Sequence, residues 1–364
     1  MNGPAGQALV IRLELALPAL KPHIYRPLIA VLEPLLIAAV EDDMKLRGVD
    51  PALGGRPRVA ILRIFDKVLQ VHVGGLSYEF VADDRVSATT VRRYLYLWMK
   101  AGVFKRLKEL VDEARGFVGE FDIEHVAIDG SHVKAPGGGD ESGPSPVDRG
   151  RLGRKFSTLV DGDGYPLVTV VASGNSHERS LLEETLDRFE ALGLRNPHCP
   201  TMVHLDAGYD ARWVIDMLKE RGYHYEIACR YGDPTHKNCR SKTERRRAYR
   251  EAKNEGRSHY SNPGNRAANR WYVERTFSWM KRGFKKLAVQ HDRNIEVVKA
   301  WVDLAHAIIG IKDIVRRGRV LRRWDGRPEK LAHMPHERFL KARDQYWRDA
   351  KNLHLPPIGA KGAG

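Results

Sequence analysis

Cysteine is scarce in this chain, which contains three cysteines among 364 residues. Cys199, Cys229 and Cys239 are too few and too irregularly spaced for a disulfide framework, which excludes the disulfide-rich secreted class and indicates a reducing compartment. His224 and His236 stand close to the last two cysteines, so a zinc site is one interpretation of these four residues. Their spacing matches no common zinc motif, which argues against it.

Long uninterrupted hydrophobic runs are also lacking. The longest apolar region, residues 27–40, is interrupted by Glu33 and Pro34 and is shorter than the roughly 20 residues that span a bilayer. The first six residues lack the basic start of a secretion signal. The sequence therefore predicts a cytoplasmic protein that has no membrane partner.

Acidic residues are too few to balance the basic ones. The chain has 61 Lys and Arg against 46 Asp and Glu, which gives a net charge of +15. Between residues 230 and 299 there are 19 Lys and Arg against 7 Asp and Glu. A basic excess concentrated in one stretch indicates a polyanionic partner such as nucleic acid.

The hydrophobic pattern changes along the chain and divides it into three parts. Residues 1–118 have apolar side chains mainly at helical spacing, which predicts a helical N-terminal domain. Residues 119–315 alternate short apolar runs with amphipathic stretches, which predicts an α/β fold with a sheet flanked by helices. Residues 316–364 form a basic tail to which we assign no function.

Residues 76–100 have the outline of a helix-turn-helix. The pattern predicts a short helix over residues 76–82, a turn at residues 83–85, and a second helix from Ala88 to Lys100 with Ser87 as its N-cap. The second helix would present these side chains to DNA: Thr90, Arg92, Arg93 and Tyr96. The alternative interpretation is an ordinary helical hairpin with a solvated basic face.

Two aspartates each close a short apolar run. Asp129 ends residues 124–129 and precedes Gly130, and Asp206 ends residues 201–206. These runs predict buried strands that stop at the two acids. Because ligands of open α/β sheets bind at the carboxyl ends of strands, the two carboxylates could gather around a hard divalent cation.

A third acid lies on a predicted helix near residue 274. At about 100° per residue, the apolar stripe of this helix comprises Val273, Phe277, Met280 and Phe284. Arg270, Glu274 and Lys281 line up along the margin of the stripe. Alone, Glu274 would be interpreted as half of a surface ion pair. The two earlier aspartates make a third metal ligand the better interpretation.

Three segments carry a resemblance to a known family. They are residues 127–130 around Asp129, residues 205–210 around Asp206, and residues 270–279 around Glu274. Together they resemble the DDE transposases of bacterial insertion sequences, whose catalytic domain is RNase H-like, and most of all the insertion-sequence-five group. The family signature of Tyr, Arg, Glu and Lys falls on these positions: Ala267, Arg270, Glu274 and Lys281. The tyrosine is therefore replaced by alanine here.

The resemblance implies metal-dependent phosphoryl transfer on DNA. Asp129, Asp206 and Glu274 would be the catalytic residues and would bind two Mg²⁺ ions, for which Mn²⁺ can substitute. Water would nick a transposon end, and the freed 3′-hydroxyl would then attack target DNA. Arg270 and Lys281 would grip the flanking phosphates. The partners would be transposon-end DNA and target DNA, bound at the nucleoid by a homodimer or a higher oligomer.

Other polar residues receive less specific predictions. Residues 230–268 form a basic insertion that we interpret as a phosphate-contacting segment rather than a solvated surface, with Arg245, Arg246 and Arg247 at its centre. Lys155 is a further candidate phosphate contact. The glycine-rich residues 137–146 could close over DNA or could simply be slack. His177 could act as a general base, but positioning a turn or the start of a helix is the better interpretation.

Two other functions stay open on the sequence alone. A related metal nuclease would hydrolyse DNA without joining strands. A catalytically idle or domesticated transposase would act only as a sequence-specific DNA-binding protein. The presence of all three acids favours the transposase.

Overall fold

The computed structural model describes residue 20 and residues 22–48, 59–119, 121–195, 201–227 and 266–321. Five helices come first: α1 (Pro22–Leu46), α2 (Ile61–Gly74), α3 (Tyr78–Val81), α4 (Ala88–Lys100) and α5 (Val103–Val118). A region of alternating strands and helices follows. The long helix α10 (Ile295–Leu321) ends the described part and packs against α5 and α1.

Local hydrogen bonds explain why α3 and α4 begin where they do. The Ser77 hydroxyl accepts the backbone N–H of Phe80 at 3.1 Å, and the Ser87 hydroxyl accepts that of Thr90 at 3.2 Å. Between the helices, Asp83 accepts the backbone N–H of Val86 at 2.8 Å, which fixes the turn. The helix, the turn and the Ser87 N-cap predicted for this region are therefore confirmed, although α3 is only four residues long.

Helix α1 is longer than the interrupted apolar region suggested. Its residues His23–Leu46 are long and apolar enough to cross a membrane, with a mean hydropathy of 1.5 over the most apolar window. In the structure, Leu28, Leu32 and Leu36 are fully buried, and the Trp98 indole donates a hydrogen bond to the Leu36 carbonyl at 3.3 Å. The helix therefore contributes its apolar stripe to the core of the protein.

The sheet has six strands. They are β1 (His125–Lys134), β2 (Gly143–Pro144), β3 (Leu152–Asp161), β4 (Pro166–Ser173), β5 (Met202–Leu205) and β6 (His224–Ile227). Their order is β2-β3-β1-β5-β6, and β4 also pairs with β3. Strands β1, β5 and β6 are parallel, whereas β3 runs antiparallel to β1 and β4. This is the mixed sheet predicted from the sequence.

Helices cover both faces of the sheet. They are α6 (Glu178–Glu190), α7 (Arg212–Glu220), α8 (Arg266–Gly283) and α9 (Lys285–Ala288), together with α10. The Ser157 hydroxyl of β3 bonds Thr185 of α6 at 2.8 Å. The next residue, Thr158, bonds Thr169, which bonds His306 of α10 at 3.2 Å. Because successive residues of a strand point to opposite faces, α6 and α10 lie on opposite sides of the sheet.

Strand β1 does not end at Asp129, so that prediction is wrong. The strand continues to Lys134 and stays paired with β3 up to Gly153. Gly130, which suggested a turn, is required for a different reason. A β-carbon on Gly130 would lie 2.5 Å from Glu178 Cγ, so glycine is needed for close packing against the start of α6.

The glycine-rich loop after β1 is packed against the protein. Arg154, which is fully buried, donates hydrogen bonds to the carbonyls of Gly138 and Asp140 and to the Gln290 side chain. The backbone N–H of Asp140 donates to the Arg293 carbonyl at 2.8 Å. The buried guanidinium of Arg154 therefore holds the backbone of this loop against the protein.

One hydrophobic core runs through the described residues. Its members extend from Ile24 of α1 to Ile311 of α10 and include residues of every layer of the sheet region. The boundary predicted at residues 118/119 lies between α5 and β1, within this continuous core. The division of the chain into separate domains stays a prediction.

Candidate active site

The register of the parallel strands brings two acids to neighbouring positions. Strands β1 and β5 pair Val126 with Val203 and Ala127 with His204. Asp129 and Asp206 each stand two residues beyond the last of these pairs, and neighbouring strands lie roughly 4.8 Å apart. Asp129 lies within β1, whereas Asp206 directly follows β5, as predicted. Both side chains are partly buried.

Helix α8 carries the third acid across β1. Its apolar stripe is buried as predicted, with Val273 and Met280 each 1% exposed. The Thr276 hydroxyl donates a hydrogen bond to the Gly164 carbonyl in the β3–β4 turn at 2.5 Å, which fixes the middle of the helix. Glu274 lies at the edge of the stripe and is exposed to solvent.

The three acids fit a divalent cation by ligand type. Carboxylate oxygens are the ligands that Mg²⁺ and Mn²⁺ take from proteins, and Asp129 and Asp206 supply two of them from adjacent strands. Within the described ranges, no group of three His, Cys, Asp or Glu side chains is arranged closely enough to hold a metal ion. Asp129 and Asp206 are the two acids that neighbouring strands carry, and Glu274 lies on a helix that contacts β1.

A further carboxylate near the aspartates, Glu178, was not among the site residues predicted from the sequence. Its stem packs against Gly130, and its Oε2 is 3.9 Å from the position that a β-carbon on Gly208 would occupy. These glycines follow Asp129 by one residue and Asp206 by two. The only signal in the sequence was the pair of glycines next to the acids, which suggested turns instead.

Tyr209 is the second residue that the sequence did not single out. It is fully buried, and its hydroxyl has no hydrogen-bond partner. Burial, followed by the negative charges of Asp129, Glu178 and Asp206, raises the pKa of Tyr209 well above its usual value. The hydroxyl therefore stays a neutral O–H group close enough to these three carboxylates to be influenced by their charge.

Both lysines predicted to bind phosphate have protein partners. Lys155 Nζ lies 3.2 Å from Glu178 Oε1, in an ion pair whose lysine side chain is 15% exposed. Lys281 Nζ donates to the Ser131 hydroxyl at 2.5 Å and to the His132 carbonyl at 3.0 Å. Burial lowers the pKa of Lys281. Neither lysine extends freely into solvent.

The remaining predicted residues divide by location. Arg92 and Arg93 are exposed on α4, and Arg92 forms an ion pair with Glu79 at 3.2 Å. Arg270 lies in α8, but its side chain is outside the described part. Residues 230–265 of the basic insertion, which include Arg245, Arg246 and Arg247, lie outside the described residues. The zinc candidates Cys229, His236 and Cys239 also lie outside them.

His177 is a helix cap. Its backbone has extended dihedral angles at the N-cap position of α6, and its Nδ1 accepts the backbone N–H of Arg179 at 3.3 Å. The structure favours the positioning interpretation of His177 over general-base catalysis, because one ring nitrogen already serves the helix.

Comparison with known proteins decides the family. Residues 120–309, which include all three acids, match the family model described as transposase DDE domain. The chain belongs to the transposase DDE domain family. It is a DNA transposase of a bacterial insertion sequence, an enzyme that cuts DNA and transfers strands, and the family uses divalent metal ions.

The chain is also similar to individual proteins. The chain is 28% identical over 175 residues to a putative transposase for insertion sequence element IS402 of Burkholderia cepacia, a match that covers 47% of this chain and 69% of the relative. Among solved structures, the Mos1 transposase paired-end complex with left transposon end is 13% identical and covers 74% of this chain and 83% of its own, at a TM-score of 0.22. The Mos1 mariner paired end complex with Mn is 11% identical and covers 80% and 92%, at a TM-score of 0.23. Scores this low carry no argument about the site.

Proposed function

We propose that Asp129, Asp206 and Glu274 are the catalytic acids of this transposase. The observation that supports the proposal is the parallel register of β1 and β5, since Asp129 and Asp206 each stand two residues beyond its last pair and Glu274 lies on a helix that contacts β1. Two Mg²⁺ ions, or Mn²⁺ in their place, would supply activation of the attacking oxygen and stabilisation of the leaving one. Asp129, Asp206 and Glu274 would hold these ions.

Two successive displacements at phosphorus follow from this arrangement. In the first, a water oxygen forms a bond to phosphorus while the bond to the 3′-oxygen breaks, which leaves a 3′-hydroxyl and a 5′-phosphate. In the second, that 3′-hydroxyl attacks a phosphodiester of target DNA, and the target's own 3′-oxygen leaves. The neutral Tyr209 hydroxyl, which is buried near these acids and has no hydrogen-bond partner in this structure, would be available to donate to them.

We place the DNA along the basic part of the chain. Arg270, the insertion at residues 230–268, and the exposed Arg92 and Arg93 of α4 would contact phosphates and transposon-end bases, with Lys155 as a further phosphate contact if its ion pair opens. Several phosphate contacts make binding strongly salt-dependent. The enzyme would act as a homodimer or higher oligomer at the nucleoid in the cytoplasm. We assign it to the insertion-sequence-five group.

The test is cleavage of transposon-end DNA by three variants. Asp129→Asn, Asp206→Asn and Glu274→Gln should each abolish metal-dependent cleavage while folding and end binding persist. Glu220→Gln, which changes an exposed carboxylate at the end of α7, is the matched control and should cleave normally. Normal turnover by any of the three acid variants would refute the assignment.

A pre-cut substrate separates the transposase from a metal nuclease. An end that already carries a free 3′-hydroxyl needs only the second displacement, so the wild-type protein should join it to target DNA. Cleavage without joining would indicate a nuclease. End binding without either reaction would indicate a domesticated DNA-binding protein.

A further inference from the structure

Lys281 has an environment that differs from that of a DNA-binding lysine. Its ammonium donates to two neutral oxygens of β1, the Ser131 hydroxyl at 2.5 Å and the His132 carbonyl at 3.0 Å. The side chain is half-buried, and burial alone lowers its pKa. By contrast, the next residue, Arg282, is exposed. A charged group that is removed from water stays bound to the oxygens that replace its hydration.

The two partners of this bond lie on the elements that carry the catalytic acids. Ser131 follows Asp129 by two residues on β1, so the two side chains lie on the same face of the sheet. Lys281 follows Glu274 by seven residues, or two turns, on the same edge of α8. The hydrogen bond from Lys281 to Ser131 therefore joins the strand of the first acid to the helix of the third.

Helix α8 is fixed to the sheet region at two levels. At the first, Thr276 donates to the Gly164 carbonyl at 2.5 Å, and Arg275 donates to the carbonyl of Asp163. Both contacts are to the β3–β4 turn. At the second, Lys281 bonds β1, five residues further along the helix. Without the Lys281 contact, the helix would keep its attachment to the turn but lose its polar attachment beside Asp129.

We propose that Lys281 is a positioning residue of the catalytic site: it holds α8 on β1 and thereby fixes the separation of Glu274 from Asp129. The inference rests on the proposed roles of these two acids. It replaces the phosphate contact predicted for Lys281 from the sequence, because the ammonium is already bound to the protein. Catalysis depends on such separations, since an error of about 1 Å in an active site can cost roughly 100-fold in rate.

Single-turnover cleavage and DNA affinity of Lys281→Met form the first test. The proposal expects a rate about 100-fold below wild type at saturating DNA, with affinity changed less than threefold and an unchanged salt dependence of binding. A phosphate contact would instead weaken binding and reduce the salt slope by about one. That result would overturn the proposal. Arg282→Met removes an exposed charge one residue away and is the control for charge loss, with cleavage expected near the wild-type rate at saturating DNA.

Two more variants keep the test independent of folding. Lys281→Arg retains the charge, so a phosphate contact should tolerate it, whereas the planar guanidinium should not fit between Ser131 and His132 and the rate should stay at least tenfold low. Ser131→Ala should slow cleavage by about five- to tenfold. In the double variant with Lys281→Met, it should add nothing further, because the bond is already lost. Additive losses would overturn the proposal.

The acid variants distinguish failure of this inference from failure of the proposed function. If Asp129→Asn and Glu274→Gln cleave normally, the assignment of the acids fails and the role of Lys281 fails with it. If those variants are inactive but Lys281→Met loses affinity at a normal rate, only the positioning role fails.

Discussion

Two buried polar residues connect the N-terminal helices to the remainder of the protein, and they do so by different physics. His72 of α2 stacks between Phe284 and Trp301, with ring centroids 4.8 and 4.9 Å away. Arg115 of α5 forms ion pairs with Asp161 at 2.8 Å and with Asp313 at 3.1 Å. Both side chains are fully buried.

The difference lies in how each polar group is satisfied. Neither ring nitrogen of His72 has a hydrogen-bond partner, so the imidazole behaves as a neutral aromatic ring in an apolar slot. Arg115 lies among acids and also stacks over the rings of Phe121 and Tyr165 at 4.3 and 4.6 Å. Burial without hydrogen-bond partners favours the neutral form of a titratable side chain. Burial beside opposite charges favours its charged form. One contact therefore tolerates an apolar replacement and the other does not.

Removing the buried cation should have the largest effect on stability. Arg115→Met would leave Asp161, which is itself fully buried, without its main counter-charge. The expected loss in the free energy of unfolding is about 3–5 kcal/mol. Denaturant unfolding of both proteins measures it. A loss below about 1 kcal/mol would show that Arg317 or solvent replaces the missing guanidinium.

The sequence could predict elements but not these connections. Apolar spacing was sufficient for the α4 helix and for the buried stripe of α8, because those patterns repeat within a few residues. It also placed Asp206 at the end of a strand. The bond between Arg115 and Asp313 joins residues 198 positions apart, and no local pattern records such a pairing. Contacts of this kind arise only when the chain is folded.

The candidate site shows the same limit. Asp129 and Asp206 were predicted from the short apolar runs that precede them. Gly130 suggested a turn, but in the structure the stem of Glu178 occupies the place that a β-carbon on residue 130 would take. The residues next to Gly130 in the sequence do not reveal this contact. Lys281 was predicted to bind phosphate, since spacing along a helix gives the direction of a side chain but not its partner.

His72 should make the next largest contribution, and only in acid. Burial and the charge of Lys286 lower the pKa of His72 from 6.5 to about 3. Between these values the unfolded chain binds a proton that the folded protein does not, so stability falls as pH decreases from 6.5 towards 3. His72→Phe removes the titrating imidazole. The slope of the free energy of unfolding against pH should therefore decrease by up to about 1.4 kcal/mol per pH unit. Unfolding curves from pH 7 to pH 4 measure the slope. An unchanged slope would mean that the ring is already charged when folded.

Replacing Asp313 should reduce the free energy of unfolding by less than replacing Arg115, and the contribution of Asp313 depends on pH in a more acidic range than that of His72. Burial raises the pKa of Asp313, but Arg317, Arg316 and Arg115 outweigh it and lower the pKa to about 2, from 3.8. The stabilisation is present above pH 3.8 and is lost as pH falls towards 2. At pH 7, Asp313→Asn should cost about 1–3 kcal/mol, less than Arg115→Met, because Asp161 keeps its partner. A loss larger than that of Arg115→Met would make Asp313 the centre of the network.

The smallest effect should come from an arginine on the same helix as Arg115. Arg106 of α5 also has two acidic partners, Glu109 at 3.1 Å and Glu113 at 3.4 Å, but its side chain is 50% exposed. Arg106→Met should change the free energy of unfolding by less than about 0.5 kcal/mol, because water and salt screen exposed pairs. Since both arginines lie on α5 and each pairs with more than one acid, the difference between the two Met variants measures mainly burial rather than charge. Equal losses would show that the ion pairs act through the net charge of α5 and would remove the distinction between Arg115 and a surface arginine.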